Sequence, residues 1–236
     1  MSFIIAVHVN EGIVLASDRR TTYHTTVQNG NSVTVYHGIH TTNSTDKTFI
    51  CPNGCGISTC GDSSIDGKPI TGYIQQFIRE KVSKETIVSE IPQMIIDFFS
   101  PYQPIPNTDF IVAGYTDNGQ KKEQAIFKIQ LIDSNIFPVD TINQGATWNG
   151  ETLTLTRLIK NCAVKNDDGT YSDLPNNEIY WNFFTLQDAI DFAKYAVETT
   201  IKTMHFLNTV ETVGGNVDIL VITPDKTEWL EQEKLH

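Results

Sequence analysis

The sequence predicts an α+β fold, a four-layer αββα sandwich in which two sheets stack face to face and helices cover the outside of each. Three observations predict it. The segments run in the order strands, two helices, strands, helices and a last strand. The first strand-like runs are continuously apolar rather than alternating, the pattern of a sheet covered on both faces. Each helical segment carries one apolar stripe, which has to lie against a neighbour.

The opening reads as a hairpin. Phe3 to Val9 is mostly apolar, Asn10-Glu11-Gly12 makes a tight turn, and Ile13 to Ser17 is apolar again before Asp18-Arg19-Arg20. Residues 21–46 are rich in Thr, Asn, His and Gly, with one strand-like run from Val33 to Tyr36, and read as an elaborated polar hairpin or loop. Lys47 to Cys51 and Gly56 to Cys60 are strands around Pro52-Asn53-Gly54. Gly61-Asp62-Ser63-Ser64 leads into a helix with Ile70, Tyr73, Ile74, Phe77, Ile78 and Val82 at helical spacing. A second helical stripe runs from Ile87 to Phe99, and Pro92 either kinks it or marks its start. Strands return at Asp109 to Tyr115 and Gln124 to Leu131, and a third helix is expected from Asn149 to about Asn161. The longest stripe spans Leu186 to Phe206, with Thr185 and Asp188 as its cap. Val217 to Thr223 is a last buried strand.

With 236 residues, 39% of them hydrophobic, the chain can bury one sizeable core. No Pro/Gly/Ser-rich linker or block of like charge divides it, so one domain over residues 1–236 is expected, with the long polar hairpin at about 21–46 as an insertion. The net charge of −11 argues against a phosphate-binding surface, which needs clustered Lys and Arg, so no nucleic-acid partner is expected. No apolar stretch approaches the roughly 20 residues that cross a bilayer. The run Phe3 to Val7 is too short for an export signal and no Lys or Arg precedes it. The expected compartment is the cytoplasm, with no membrane partner.

Cys51, Cys55 and Cys60 crowd into ten residues, which disfavours a disulfide framework. The Cys51–Cys55 spacing is half of a zinc site, but no second pair follows. Buried thiols are expected instead, with no metal and no cofactor. His24, His37 and His40 read as residues of a solvated loop. Trp148, Trp181 and Trp229 read as core or subunit-contact residues.

One stretch carries a resemblance. Gly12-Ile13-Val14-Leu15-Ala16-Ser17-Asp18-Arg19-Arg20-Thr21-Thr22 resembles the opening of proteasome β-type subunits and of bacterial HslV, which are N-terminal-nucleophile hydrolases. The resemblance implies Ser2 as nucleophile, exposed by removal of Met1. Its own α-amine, with a reference pKa of roughly 7.7–8.0, would be the base. It implies Lys47 as the cation that tunes the amine and the developing alkoxide, held by Asp18. Gly61 would give its backbone N–H to the oxyanion, and Arg20 and Thr22 fall at positions beside the substrate, which pairs with backbone as an added strand.

The later match is thinner. Val213-Gly214-Gly215 stands where the family has a Ser before the glycines. The supporting acid falls at Val210, beside Glu211, and a second family Ser falls near Ala146 or Thr147. Peptide hydrolysis through a Ser2 acyl-enzyme is therefore the implied activity. The implied substrate is an unfolded polypeptide or peptide, the implied assembly a homo-oligomeric ring, and an ATPase partner is left open. An inactive scaffold of the same fold and a small-molecule amidase stand as alternatives.

Overall fold

The computed structural model describes residues 2–30 and 32–233, apart from the side chains of Thr26, Gln28, Asn29 and His37. The expected opening hairpin is present as β1 (Phe3–Val9) and β2 (Gly12–Asp18), buried along their whole length. β3 (Thr21–Asn29) and β4 (Ser32–Thr42) form a two-stranded ribbon. β5 (Thr48–Ile50) pairs with β6 (Gly56–Gly61), and a small ribbon of β7 (Ser64–Ile65) and β8 (Lys68–Pro69) leads into α1 (Ile70–Lys81). Pro92 sits in the first turn of α2 (Ile91–Phe99), where its missing N–H costs nothing. β9 (Thr108–Asp117), β10 (Lys122–Gln130), β11 (Asn135–Pro138) and β12 (Gly145–Gly150) follow. Next come α3 (Leu153–Ile159), the ribbon β13 (Ala163–Lys165) with β14 (Tyr171–Asp173), and α4 (Leu186–His205). β15 (Val217–Ile222) and β16 (Thr227–Glu231) close the order.

Two five-stranded sheets result, ordered β12-β1-β2-β15-β16 and β11-β10-β9-β6-β5. Side chains alternate along each strand, which explains the continuous apolar runs. Ile4, Ala6, Ile13, Leu15, Leu220 and Ile222 of the first sheet share one cluster with Ile111, Ala113 and Ile126 of the second. The alternate residues Phe3, Ile5, Val7, Val14, Ala16 and Ile219 pack instead with Ala189, Ala193, Ala196 and Val197 of α4. Phe110, Val112 and Ile129 pack with residues of α1 and α2. Each fully buried Val, Leu, Ile or Phe side chain among these contributes about 1.5–3 kcal/mol. At the head of α4, Asp188 N donates to Thr185 Oγ1 at 3.2 Å and Thr185 N to Asp188 Oδ2 at 2.8 Å, the expected cap.

The expected four-layer αββα sandwich is corrected. The chain is mostly sheet, 39% strand against 24% helix, and its strands fall into five sheets rather than two. The ribbons β3–β4, β7–β8 and β13–β14 stand outside the two larger sheets. Hydrophobic patterning finds strands that bury a face, whereas these ribbons pair through backbone and show little apolar signal. The third helix is corrected too. Residues 145–150 are a strand on β1, and α3 begins only at Leu153. Pairing with β1 satisfies the backbone of that segment, and Gly150, at φ +90°, ends it.

His8 in β1 is buried. Its Nε2 lies 3.1 Å from the Asp140 carbonyl and 2.9 Å from that of Asn143, and Nδ1 has no partner among the described residues. Burial lowers its proton affinity below the ordinary 6.5, against the raising influence of those carbonyls and of Asp140. The unfolded chain therefore binds the proton first. The stability His8 confers is complete above pH 6.5 and falls as pH drops toward the folded value. Urea unfolding between pH 7.5 and 5.5 should show a loss of about 1 kcal/mol that is absent in His8→Phe. An equal loss in that variant would assign it elsewhere.

Candidate active site

β2 delivers Asp18 to the end of the first sheet, fully buried. Its Oδ1 accepts from Phe3 N at 3.0 Å and from Lys47 Nζ at 2.8 Å. Oδ2 accepts from Arg20 N at 3.0 Å and Gly214 N at 2.9 Å. One carboxylate thus fastens the start of β1, the exit of β2 and the turn before β15. Lys47 stands one residue before β5, its carbonyl accepting from Thr59 N at 2.8 Å, which anchors it against β6. Its Nζ also donates to the Arg20 carbonyl. Lys47 is only 3% exposed, and burial lowers its proton affinity while Asp18 works in the other direction.

Ser2, Thr22, Lys47 and Gly61 line one narrow cleft, with Cys60, Asp46 and Asp62 also on its walls. Gly61 closes β6 at φ +124°, and a Cβ there would lie 2.3 Å from the Asn107 carbonyl. Only glycine fits that position. Asp62 holds the neighbouring turn, its N donating to Asn107 O at 3.0 Å and its Oδ2 accepting from Asn107 N at 2.7 Å. Cys60 is buried and its thiol is pushed up to about 12, first by burial and then by Asp109, so at neutral pH it is not a thiolate.

With this geometry established, comparison gives a likeness of fold. No protein family profile matches the chain, and no curated protein does. Solved structures do. An Anbu (Gly-1) mutant from Hyphomicrobium sp. strain MC1 is 13% identical at a TM-score of 0.60, covering 99% of this chain and 86% of that one. Anbu (ancestral beta-subunit) from Yersinia bercovieri is 12% identical at a TM-score of 0.59, covering 98% and 88%.

The chain has an Anbu-like fold. The expected kinship with proteasome β-type subunits and HslV is corrected accordingly, because these similar structures are Anbu proteins, proteasome-like but distinct. The opening stretch that prompted the expectation is short, and it forms β2 and its Asp18 end.

Within this Anbu-like frame the remaining residues separate. Arg20 faces away from the cleft, its guanidinium on Glu211 and, through Nε, on Asn43 Oδ1 at 2.8 Å. Its backbone serves the site through Asp18 and Lys47. Glu211, bonded first to Arg20 and then to His205, is held below the usual carboxylate range. Thr22 Oγ1 donates to the Glu211 carbonyl at 3.1 Å. Val213 is buried among apolar residues, and neither it nor Ala146, Thr147 or Val210 lines the cleft. His24 and His40 are exposed on the ribbon, with His40 stacked on Tyr23, and the His37 side chain lies outside the described residues. Met1 lies outside them as well.

Three residues escaped sequence reading. Arg19 is a fully buried cation. Gly150 lets the chain pass so close to Ser2 that a Cβ would lie 1.8 Å from the Ser2 carbonyl oxygen. Glu151 donates its N–H to that oxygen at 2.8 Å, and its carboxylate accepts from Thr212 Oγ1 at 2.9 Å. An Asn-Gly-Glu triplet is a turn signal, but nothing local says that Ser2 lies across it.

Proposed function

We propose that this chain is an amide hydrolase acting on peptides, with Ser2 as its nucleophile once its α-amine is free. The observation that carries the reading is the convergence of Ser2, Lys47 and Gly61 on one cleft, with Lys47 buried against Asp18. Ser2 Oγ would attack the scissile carbonyl and its amine would take the hydroxyl proton. The tetrahedral oxyanion would be met by the Gly61 N–H and the Lys47 ammonium. The C–N bond then breaks, the leaving amine takes the proton, and water hydrolyses the resulting ester to return Ser2. Asp18 keeps Lys47 in place. Thr22 lies on the cleft wall, where backbone can pair with an extended chain. A peptide substrate is preferred to a small-molecule amide on that account. The likeness to Anbu, an ancestral beta-subunit, supports a homo-oligomeric assembly.

A second reading, a scaffold without activity, is favoured by one observation. Val210, Val213, Ala146 and Thr147 supply no hydroxyl or carboxylate to the cleft.

Intact mass after exposure to a peptide β-lactone or epoxyketone separates the two. The peptidase reading expects one adduct, lost in Ser2→Ala. No adduct on a chain whose Ser2 amine is free would sink it and leave the scaffold.

A further inference from the structure

Two dipeptides of the same charge order, Asp18-Arg19 and Asp46-Lys47, meet beside the cleft and exchange partners. Lys47 takes Asp18, as described. Arg19 takes Asp46, its Nη1 at 2.8 Å from Asp46 Oδ1. The same Nη1 lies 2.7 Å from Asp218 Oδ2 of β15, Nη2 donates to the Ser44 carbonyl at 3.1 Å, and Nε is 3.5 Å from Glu233 Oε2. Backbone reinforces the contact, since the Arg19 carbonyl accepts from Thr45 N at 3.1 Å and its N donates to Gly214 O at 3.0 Å. Arg19 therefore holds the short segment that carries Lys47 through three contacts, to Asp46, the Ser44 carbonyl and Thr45 N.

Asp46 is the reason this matters. It is 30% exposed, lines the cleft, and adjoins Lys47 in sequence. A carboxylate so placed is drawn to a buried ammonium unless another cation holds it. We propose that Arg19 is a positioning residue whose guanidinium keeps the Asp46 carboxylate off Lys47, leaving Asp18 as the sole carboxylate partner of Lys47. The proposal rests on the reading of Lys47 as a participant in the Ser2 reaction. Two carboxylates on Lys47 would hold its proton more tightly and would place a negative charge where the oxyanion develops. The charged and titratable groups around Lys47 are Asp18 from β2, Arg20 beyond it, Cys60 from β6, and Asp46 and Asp62 on the cleft walls. Those around Arg19 are Asp46, Asp218 and Glu233.

The test is the ionisation midpoint of Lys47 in the full chain, followed by NMR at its ε-carbon and assigned with Lys47→Arg. It is run in an Asp218→Asn background, so that loss of Arg19 does not strand a fully buried carboxylate. There Arg19→Gln is expected to raise the midpoint by about one pH unit or more, and adding Asp46→Asn should bring it back. An unmoved midpoint in Arg19→Gln, or a rise that survives Asp46→Asn, overturns the proposal. A merely structural Arg19 would give no such reversal. Should Arg19→Gln fail to fold, Asp46→Asn alone decides. An unchanged midpoint supports the assignment, and a fall of about one unit shows Asp46 already acting on Lys47 and overturns it. The NMR readout needs no turnover, so failure of Ser2 to take a covalent probe leaves the assignment of Asp46 to Arg19 separately decided.

Discussion

Replacement of Lys47 by Met is expected to lower kcat/KM for the proposed peptide hydrolysis by about 10²–10³-fold and to destabilise the chain by about 3 kcal/mol. The two losses have different origins. Turnover falls because the cation that lines the cleft with the candidate nucleophile is gone. Stability falls because Asp18, fully buried, loses its ion-pair partner. The three backbone N–H groups of Phe3, Arg20 and Gly214 still bond Asp18, which holds the cost near the lower end of what a broken buried pair costs. Those same donors make Asp18→Asn a poor repair. Both carboxylate oxygens accept, so an amide NH₂ in place of either would face a donor. Urea denaturation and steady-state kinetics on the two variants check both parts. Unaltered turnover in Lys47→Met would remove Lys47 from the chemistry, and an unaltered midpoint would show that the pair does not hold the fold.

Substitution of Gly150 by Ala is expected to cost about 3 kcal/mol and to slow covalent labelling of Ser2 at least about tenfold. The obstacle is backbone, not a side chain that can turn away. The new Cβ would sit 1.8 Å from the Ser2 carbonyl oxygen, the atom that accepts from Glu151 N at 2.8 Å. Either Ser2 moves or β12 leaves β1 at Phe3, its partner in register. A built-in control separates this clash from the backbone conformation. Gly119 has φ +81°, close to the +90° of Gly150, and nothing within 4 Å of its Cβ position. Gly119→Ala should therefore cost only about 1 kcal/mol, the left-handed conformation alone. Thermal melts of the two variants give the difference, and similar melting temperatures would show that the Ser2 segment yields easily.

The apolar runs of β1, β2 and β15 were legible because each strand buries both faces, so every residue reports burial. The stripe of α4 and its Thr185–Asp188 cap were legible for a like reason, since a local spacing of three to four residues states the geometry outright. Cys51, Cys55 and Cys60 were expected to be buried, and they are. The end of β12, Asn149-Gly150, was read as the start of a helix. Its partners in β1 lie more than 130 residues earlier, and no window on the sequence contains them. The resemblance at residues 12–22 led to Asp18, Lys47 and Gly61, which the fold gathers with Ser2, but it pointed to the wrong relatives.

Arg19 and Arg20 show most directly where sequence stops. They are adjacent and identical in type, and the sequence singled out Arg20. The structure turns Arg20 outward to Glu211 and buries Arg19 among Asp46, Asp218 and Glu233. Successive residues of an extended segment point to opposite sides, so one of the two had to face inward. Which one was decided by the carboxylates waiting there, contributed by residues 46, 218 and 233. By itself, then, the sequence determined which segments are strands and helices wherever burial follows a short period, because that information is local. Only the tertiary structure decided which charges meet, because a buried ion pair is set by partners distant in the chain and by the cost of leaving either one alone.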